Sequence, residues 1–182
     1  MRPVSTPSRR HASGFSMIEV LVSMVIAAVG LLGFAKLQAA ALSNTQTART
    51  RSLVAMQTAS LAAAMNVNRA YWGAPTAPAE VTVRDGVVSD PAGVLSASVD
   101  CRAGGCTPAE LAADDLQNWA RSGHSQFPAH EATVACAAGA SRPAHCVITV
   151  SWTEKTVAIN RSTAASPTAM TSRQQYTLYV EP

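Results

Sequence analysis

The chain has 182 residues, of which 48% are hydrophobic and 14% are charged. Its 14 lysine and arginine residues outnumber its 11 acidic residues, which gives a formal net charge of +3. Three of the arginines lie in residues 1–14, which hold no acid, so the rest of the chain carries 11 basic and 11 acidic residues. Residues 15–182 thus have no net side-chain charge and lack the excess of basic residues that is typical of nucleic-acid-binding proteins. We therefore expect no nucleic-acid partner. The length fits one membrane segment and one small domain.

A basic leader, residues 1–14, precedes a long apolar segment. Residues 15–35 form a run of 21 residues with a single charged side chain, and Lys36 ends the run. A helix of about 20 apolar residues spans a bilayer at 1.5 Å per residue. We therefore predict a transmembrane helix over 15–35. The basic leader favours a cytoplasmic start, which places the C-terminal part on the outer side of the membrane.

One carboxylate, Glu19, lies inside this apolar run. An unpaired carboxylate in a membrane helix costs roughly 2.5 kcal/mol or more, so it usually has a partner. Cleavage after Gly14 would create an amino group on Phe15, and residues 15 and 19 share one face of a helix. A secretory signal would instead be cleaved after its apolar stretch. The alternative is an ordinary single-pass anchor with an incidental glutamate.

A leader that ends in Gly14, then Phe15, then an apolar helix with Glu19 as its fifth residue resembles the class III signal of type IV prepilins. The resemblance implies that a prepilin peptidase cleaves between Gly14 and Phe15 and methylates the new amine of Phe15. It implies that Glu19 guides docking onto a filament, where the amine of a neighbouring subunit neutralises it. The implied partners are other minor pilins, the major pilin, the inner-membrane assembly platform and, before assembly, the lipid bilayer. The implied location is the inner membrane, with a periplasmic C-terminal domain, and then the pilus at the cell surface.

The helix is expected to continue beyond the membrane segment. Between residue 36 and Gly73 the chain contains no proline or glycine and is rich in good helix formers. Gly73 and Pro75 then supply a stop, so we predict one helix over 15–72 and an amphipathic continuation over 36–73. The predicted apolar stripe contains Leu53, Met56, Ala63, Val67 and Tyr71. The alternative is two helices with a break in the polar residues 43–52.

Residues 74–182 are predicted to form a globular periplasmic α+β domain. Val81–Arg84 and Val87–Ser89 flank Asp85 and Gly86, which are a two-residue hairpin signal. Three further alternating segments predict strands over 132–136, 146–153 and 174–180. Ile148, Val150 and Trp152 would share one face of the second of these, and Tyr176, Leu178 and Val180 one face of the third. A small antiparallel sheet packed on the long helix is also the pilin-like arrangement that the resemblance implies.

A short helix is predicted within this domain. Thr107 and Glu110 have the spacing of a capping box, with Pro108 in the first helical position. We expect this helix over Pro108–Arg121, with Gly123 as its end. Its core-facing residues would be Leu111, Leu116 and Trp119, whereas Asp114 and Asp115 would lie on its solvated face.

Four cysteines form two local couples in the C-terminal part. Cys101 and Cys106 enclose a Gly-rich loop, and Cys136 and Cys146 would close a hairpin with Pro143 in its turn. An oxidising compartment favours disulfides, and closure within each couple would stabilise the fold by about 2–3 kcal/mol. The two other pairings remain open.

Neither a metal site nor a catalytic site is predicted. His145 adjoins a cysteine, and His124 and His130 are nearby in sequence, but no CxxC or HxxxH spacing is present. The chain also lacks a nucleophile elbow, a phosphate loop, a zinc-protease motif and a dinucleotide loop. We therefore expect a structural protein that is not an enzyme and that needs no cofactor.

Further patches resemble PilV-type minor pilins, in residues 23–38, 107–119 and 146–152. The apolar segment also lacks the helix-kinking proline that is common in major pilins. The resemblance thus implies a minor pilin that primes pilus assembly and sits at the pilus tip. Two alternatives remain: a minor pseudopilin of a type II secretion system, and a tip adhesin that binds through loops such as 74–79 or 160–170.

Overall fold

The computed structural model describes residues 14–139, 142–155 and 170–182. Leader residues 1–13 and residues 160–169 of the predicted adhesive loop lie outside the described residues. The chain divides into two compact units, Met1–Leu42 and Ser43–Pro182. In chain order the helices and strands are α1 (Met17–Val67), α2 (Arg69–Trp72), β1 (Glu80–Arg84), β2 (Val87–Ser89), a short 3-10 helix (Cys101–Ala103), α3 (Pro108–Gln126), β3 (Glu131–Gly139), β4 (Arg142–Lys155) and β5 (Thr171–Val180).

The described part of the first unit is the apolar start of α1. The helix begins at Met17 because the Ser16 carbonyl accepts the first helical hydrogen bonds, from the amides of Glu19 at 3.1 Å and Val20 at 3.3 Å. Serine is favoured at the N-cap, the position just before the first helical residue. The helix therefore begins two residues after the predicted start at Phe15, which was wrong. Every side chain from 17 to 42 is exposed. By length and composition, α1 is long and apolar enough to cross a membrane.

In the second unit, α1 buries a face that differs from the predicted stripe. Met56 is 61% exposed and Val67 is 84% exposed, so the prediction was wrong for these residues. Tyr71 is buried and Leu53 packs against the core, as predicted. The residues that are in fact buried are Val54, Thr58, Leu61, Ala62 and Met65. The sequence does not indicate this face clearly, because the polar residue Thr58 interrupts its apolar pattern. The Thr58 hydroxyl donates to the Val54 carbonyl at 2.8 Å, and this bond allows it to be buried.

The predicted helix to Trp72 is interrupted at Asn68. The Asn68 backbone leaves the helical region, with φ −99° and ψ 52°, and its side-chain amide donates to the Pro108 carbonyl at 2.7 Å. This bond ties the end of α1 to the first residue of α3, and Gly73 then caps α2. Residues 43–52 are helical, so the alternative of a break in that polar stretch was also wrong.

Five antiparallel strands form one sheet in the order β2-β1-β3-β4-β5. Asp85 and Gly86 make the β1–β2 turn with φ of 52° and 77°, as the predicted two-residue hairpin requires. The inner face of the sheet joins α1, α2 and α3 in one hydrophobic core. Its buried residues include Val81, Val83, Ala132, Val134, Ile148, Val150, Trp152 and Val180. The predicted α+β fold with a long N-terminal helix and a small antiparallel sheet is confirmed.

The β3–β4 hairpin is longer than predicted. Its pairing extends to Gly139 opposite Arg142, and residues 140–141 lie outside the described residues. Pro143 therefore lies in β4 and not in the turn, contrary to the prediction.

Helix α3 begins as predicted but extends past its predicted end at Arg121. The Thr107 hydroxyl accepts from the Glu110 amide at 3.3 Å, and the Glu110 carboxylate accepts from the Thr107 amide at 2.8 Å. This capping box is confirmed. Gly123 does not end the helix, because it lies inside α3 and is buried there. An added Cβ would come within 2.5 Å of the His130 ring, so the glycine serves close packing.

Candidate processing and assembly site

The residues on either side of the predicted cleavage point form an exposed, non-helical segment. Gly14, Phe15 and Ser16 precede α1, and the Phe15 side chain is 83% exposed. A peptide bond in such a segment can adopt the extended form that proteases bind, whereas a bond inside a helix cannot without unwinding. The geometry therefore leaves the Gly14–Phe15 bond accessible.

The fold itself does not require glycine at position 14. A Cβ placed on Gly14 meets no atom of the described residues within 4 Å, and its φ is not in the left-handed region. Most buried or tightly turning glycines in this chain have a steric or conformational reason, as Gly86 and Gly123 do. Gly14 has no such reason among the described residues.

Glu19 lies in the first turn of α1 and is exposed. A carboxylate in the first turn of a helix interacts favourably with the helix dipole. Among the residues that the structure describes, no side chain pairs with this carboxylate. The hydroxyl of Ser23 donates to the Glu19 main-chain carbonyl at 2.7 Å and leaves the carboxylate free.

Phe15 and Glu19 do not share a helix in the intact chain, since α1 begins at Met17. Once the leader is removed, the new amino group on Phe15 would be four residues from the carboxylate. The arrangement can thus supply one amine and one carboxylate per subunit, each exposed and each able to meet a partner of opposite charge.

The four cysteines lie in the second unit, far along the chain from this site. Cys101 is bonded to Cys106, and Cys136 is bonded to Cys146. The second pair joins two residues directly opposite each other in β3 and β4, with Cα atoms 4.1 Å apart. The first pair closes the loop just before α3, so both disulfides restrain the β-sheet domain.

The histidines near these cysteines do not converge. His124 and His145 are exposed, whereas His130 is completely buried beside α3. No group of three or more His, Cys, Asp or Glu side chains in the described ranges could hold a metal ion. Trp119 and Trp152 are buried in the core, as predicted.

Two features of the second unit were not found by sequence reasoning. His130 has no hydrogen-bond partner at either ring nitrogen in the described structure, although it is fully buried. Asp115, assigned above to the solvated face of α3, instead lines a cleft between α1 and α3. Neither was visible in the sequence, because both depend on how α3 packs against α1.

Comparison with known protein families identifies one motif. Residues 9–35 match the prokaryotic N-terminal methylation motif, a span that contains Gly14, Phe15, Glu19 and the apolar start of α1. No curated protein and no solved structure matches the chain. The motif implies processing by a prepilin peptidase and assembly in a pilus-type system, with a membrane-anchored stage that the apolar helix fits. The motif, the exposed apolar helix and the small antiparallel sheet together support a type IV pilin-like protein, from the pilin or pseudopilin family.

Proposed function

We propose that the protein is a minor pilin of a type IV pilus, a structural subunit that helps to prime filament assembly and sits at the tip. The observation that carries the proposal is an N-terminal methylation motif in which the carboxylate of Glu19, paired with no described side chain, interrupts an exposed apolar helix. The helix is followed by a disulfide-bonded α+β domain. Priming has a physical reason, since a filament nucleates poorly from isolated membrane subunits and a preassembled cluster offers the first docking surface.

Processing at Gly14 and Phe15 is the first step of this proposal. The bond between them lies in a non-helical segment, and a side chain at position 14 would meet none of the described atoms. Cleavage there by a prepilin peptidase removes the basic leader and creates the amine that becomes methylated. The remaining helix stays in the inner membrane as an anchor, with the α+β domain in the periplasm.

Docking through Glu19 is the second step. In lipid, a carboxylate without a counter-charge is unfavourable, and the amine of a neighbouring subunit supplies that counter-charge in the filament. The exposed apolar side chains of residues 17–42 pass from lipid to the helices of neighbouring subunits, so apolar contact is kept. Glu19 therefore favours the filament over the membrane.

The assignment to minor pilins rests on the resemblance of residues 23–38, 107–119 and 146–152 to PilV-type subunits. The absence of proline from the apolar segment argues against a major subunit. A minor pseudopilin of a type II secretion system is the second candidate, because the same methylation motif occurs in both families. A tip adhesin is compatible with the priming role.

The experiment is deletion of the gene in the native host, followed by complementation with the wild-type chain or with Glu19→Ala. The proposal expects loss of surface pili on deletion, restoration by the wild type, and poor restoration by the variant. Lys36→Gln is the control, since it removes the charge at the other end of the apolar run. Intact pili with impaired protein secretion would instead assign the chain to a type II secretion system. Full restoration by Glu19→Ala would contradict the docking role.

A further inference from the structure

The His130 side chain is completely buried at the start of β3, although an imidazole can take up a proton. Its ring centroid lies 5.5 Å from that of Trp119 and 6.1 Å from that of Phe127. Neither Nδ1 nor Nε2 has a hydrogen-bond partner among the described residues. Such surroundings suit the neutral ring, because a buried charge without a partner is costly.

The Gln57 side chain of α1 holds a free acceptor beside this ring. A Cβ on Gly123 would lie 2.5 Å from the imidazole Nε2 and 2.7 Å from the Gln57 amide nitrogen, so the two side chains are neighbours. The amide nitrogen donates to the Trp119 main-chain carbonyl at 3.2 Å, and this bond leaves the amide oxygen as the free group. In the described ranges, this is the only buried side-chain oxygen that lacks a partner.

The charged groups on the elements around the ring do not offer it a free, buried carboxylate. On α3, His124 is itself basic, and Asp115 lines an open groove beside Trp119. Burial, and secondarily the charge of His124, lowers the pKa of His130. The carboxylates of β3 and β4 already have partners, which are Arg84 and Arg173 for Glu131, and Arg51 and Trp152 for Glu154.

We propose that protonation of His130 forms a hydrogen bond from the imidazolium Nε2–H to the Gln57 side-chain oxygen. A neutral ring has one donor and one acceptor nitrogen, whereas a proton taken from solvent makes both nitrogens donors. A buried charged donor without a partner costs more than a neutral one, so the ring and the amide are drawn together.

This bond would join the start of β3 to α1 in acid. Because the Gln57 amide also holds the Trp119 carbonyl, the hydrogen bonds would then run from the start of β3 through α1 to α3. The imidazole Nδ1 would still have no partner among the described residues, so the ring stays difficult to protonate and the bond forms only in acid. The inference does not rest on the proposed function, since all of these groups lie in the second unit.

The test is an NMR titration of the His130 imidazole in the labelled full-length chain in detergent micelles, from pH 7.5 into acid. Gln57→Met keeps the length of the side chain but removes the oxygen. We expect it to weaken proton binding by His130 about tenfold, the loss expected for one hydrogen bond to a charged group. Gln57→Glu should bind the proton more tightly than the wild type, because its carboxylate supplies a counter-charge. Gln46→Met, the same change at an exposed glutamine of α1, should match the wild type.

Proton binding by His130 that is unchanged in Gln57→Met would overturn the proposal, and so would a Gln57→Glu variant without tighter binding. Both variants lose the bond to the Trp119 carbonyl, so the difference between them reports the acceptor alone. If the wild type unfolds before the ring titrates, Gln57→Glu still decides, since its titration is expected at higher pH. Weaker proton binding in Asp115→Asn than in Gln57→Met would assign the partner to Asp115 instead. Circular dichroism at pH 7.5 checks that each variant is folded.

Discussion

Gly123 of α3 lies directly against the imidazole of His130, the residue that precedes β3. A Cβ added to Gly123 would lie 2.5 Å from two atoms of the ring and 2.7 Å from the Gln57 amide of α1. The ring also packs near Trp119, with ring centroids 5.5 Å apart. The contact of one glycine with one histidine therefore sets how closely α1, α3 and the sheet approach each other.

Substitution of Gly123 by alanine should destabilise the domain although alanine is the better helix former. The added methyl group has no space, and overpacking of this kind costs about 1–3 kcal/mol, which exceeds the gain of roughly 1 kcal/mol in helix propensity. The measurement is the free energy of unfolding of the full-length chain in detergent. Ser125→Ala, an exposed position of the same helix, is the control and should change the free energy by less than about 0.5 kcal/mol. A stabilised Gly123→Ala variant would show that the packing is looser than described.

His130 should make the domain sensitive to acid. Burial, and secondarily the charge of His124, lowers the pKa of the His130 imidazole, since neither ring nitrogen has a hydrogen-bond partner in the described structure. The folded state thus favours the neutral ring. The stability that depends on the neutral His130 ring is fully present above the unfolded-state pKa of about 6.5 and is lost as the pH falls below that value.

This loss is measured as the free energy of unfolding at pH 7.5 and at pH 5. The wild type should lose stability on acidification, and His130→Phe should lose less. His145→Gln, at an exposed histidine, should behave like the wild type. An acid response that is unchanged in His130→Phe would contradict this assignment.

Arg51 of α1 should contribute to stability through Glu154 of β4. The guanidinium donates to both oxygens of this buried carboxylate, at 3.1 and 2.9 Å, and the Trp152 indole donates to one of them at 3.0 Å. The Arg51 hydrogen bond is the main cause that lowers the pKa of Glu154. We expect Arg51→Gln to lower the denaturation midpoint at pH 7, since it leaves a buried carboxylate without its counter-ion.

Because the pKa of Glu154 is lower in the folded state, its ion pair contributes stability above the unfolded-state pKa of about 4.3. This stability is lost as the pH falls through the folded-state pKa. The difference between Arg51→Gln and the wild type should therefore shrink under acid. Arg49→Gln, at an exposed arginine of the same helix, should match the wild type at both pH values. A deficit of Arg51→Gln that persists in acid would mean that the ion pair is not its cause.

The disulfide between Cys136 and Cys146 should stabilise the sheet. Replacing both cysteines by serine should lower the free energy of unfolding by about 2–3 kcal/mol, because the unfolded chain gains loop entropy. The paired substitution of Cys101 and Cys106, which close a shorter loop, should cost about 2 kcal/mol. The free energies of unfolding are measured by chemical denaturation of the oxidised wild type and of both variants. A wild type that loses no stability when its disulfides are reduced would contradict the stabilising role.

The parts of the fold that could be predicted from the sequence are those specified by local chemistry. The Asp85–Gly86 turn requires two positive φ angles, and the Thr107–Glu110 capping box closes within four residues. Both are decided by neighbouring residues alone. The methylation motif is equally local, since it spans residues 9–35.

The predictions that failed depend on contacts between distant segments. Gly123 looked like a helix end because the sequence does not show that a histidine ring occupies the space of its side chain. The buried face of α1 was predicted wrongly because it contains a polar residue, Thr58. Thr58 can be buried since its hydroxyl donates to a main-chain carbonyl of the same helix. Asn68 breaks the helix by bonding to Pro108, which is forty residues away. Asp115 faces a cleft only because α3 packs on α1 at Trp119.

The central claim is that this chain is cleaved at Gly14–Phe15 and incorporated into a filament. It is tested most directly by the intact mass of the protein, oxidised and reduced, from sheared surface filaments and from membranes of the native host. The account predicts a filament-associated species that begins at methylated Phe15 and gains four hydrogens on reduction of its two disulfides. A species that is found only in membranes and still begins at Met1 would contradict it.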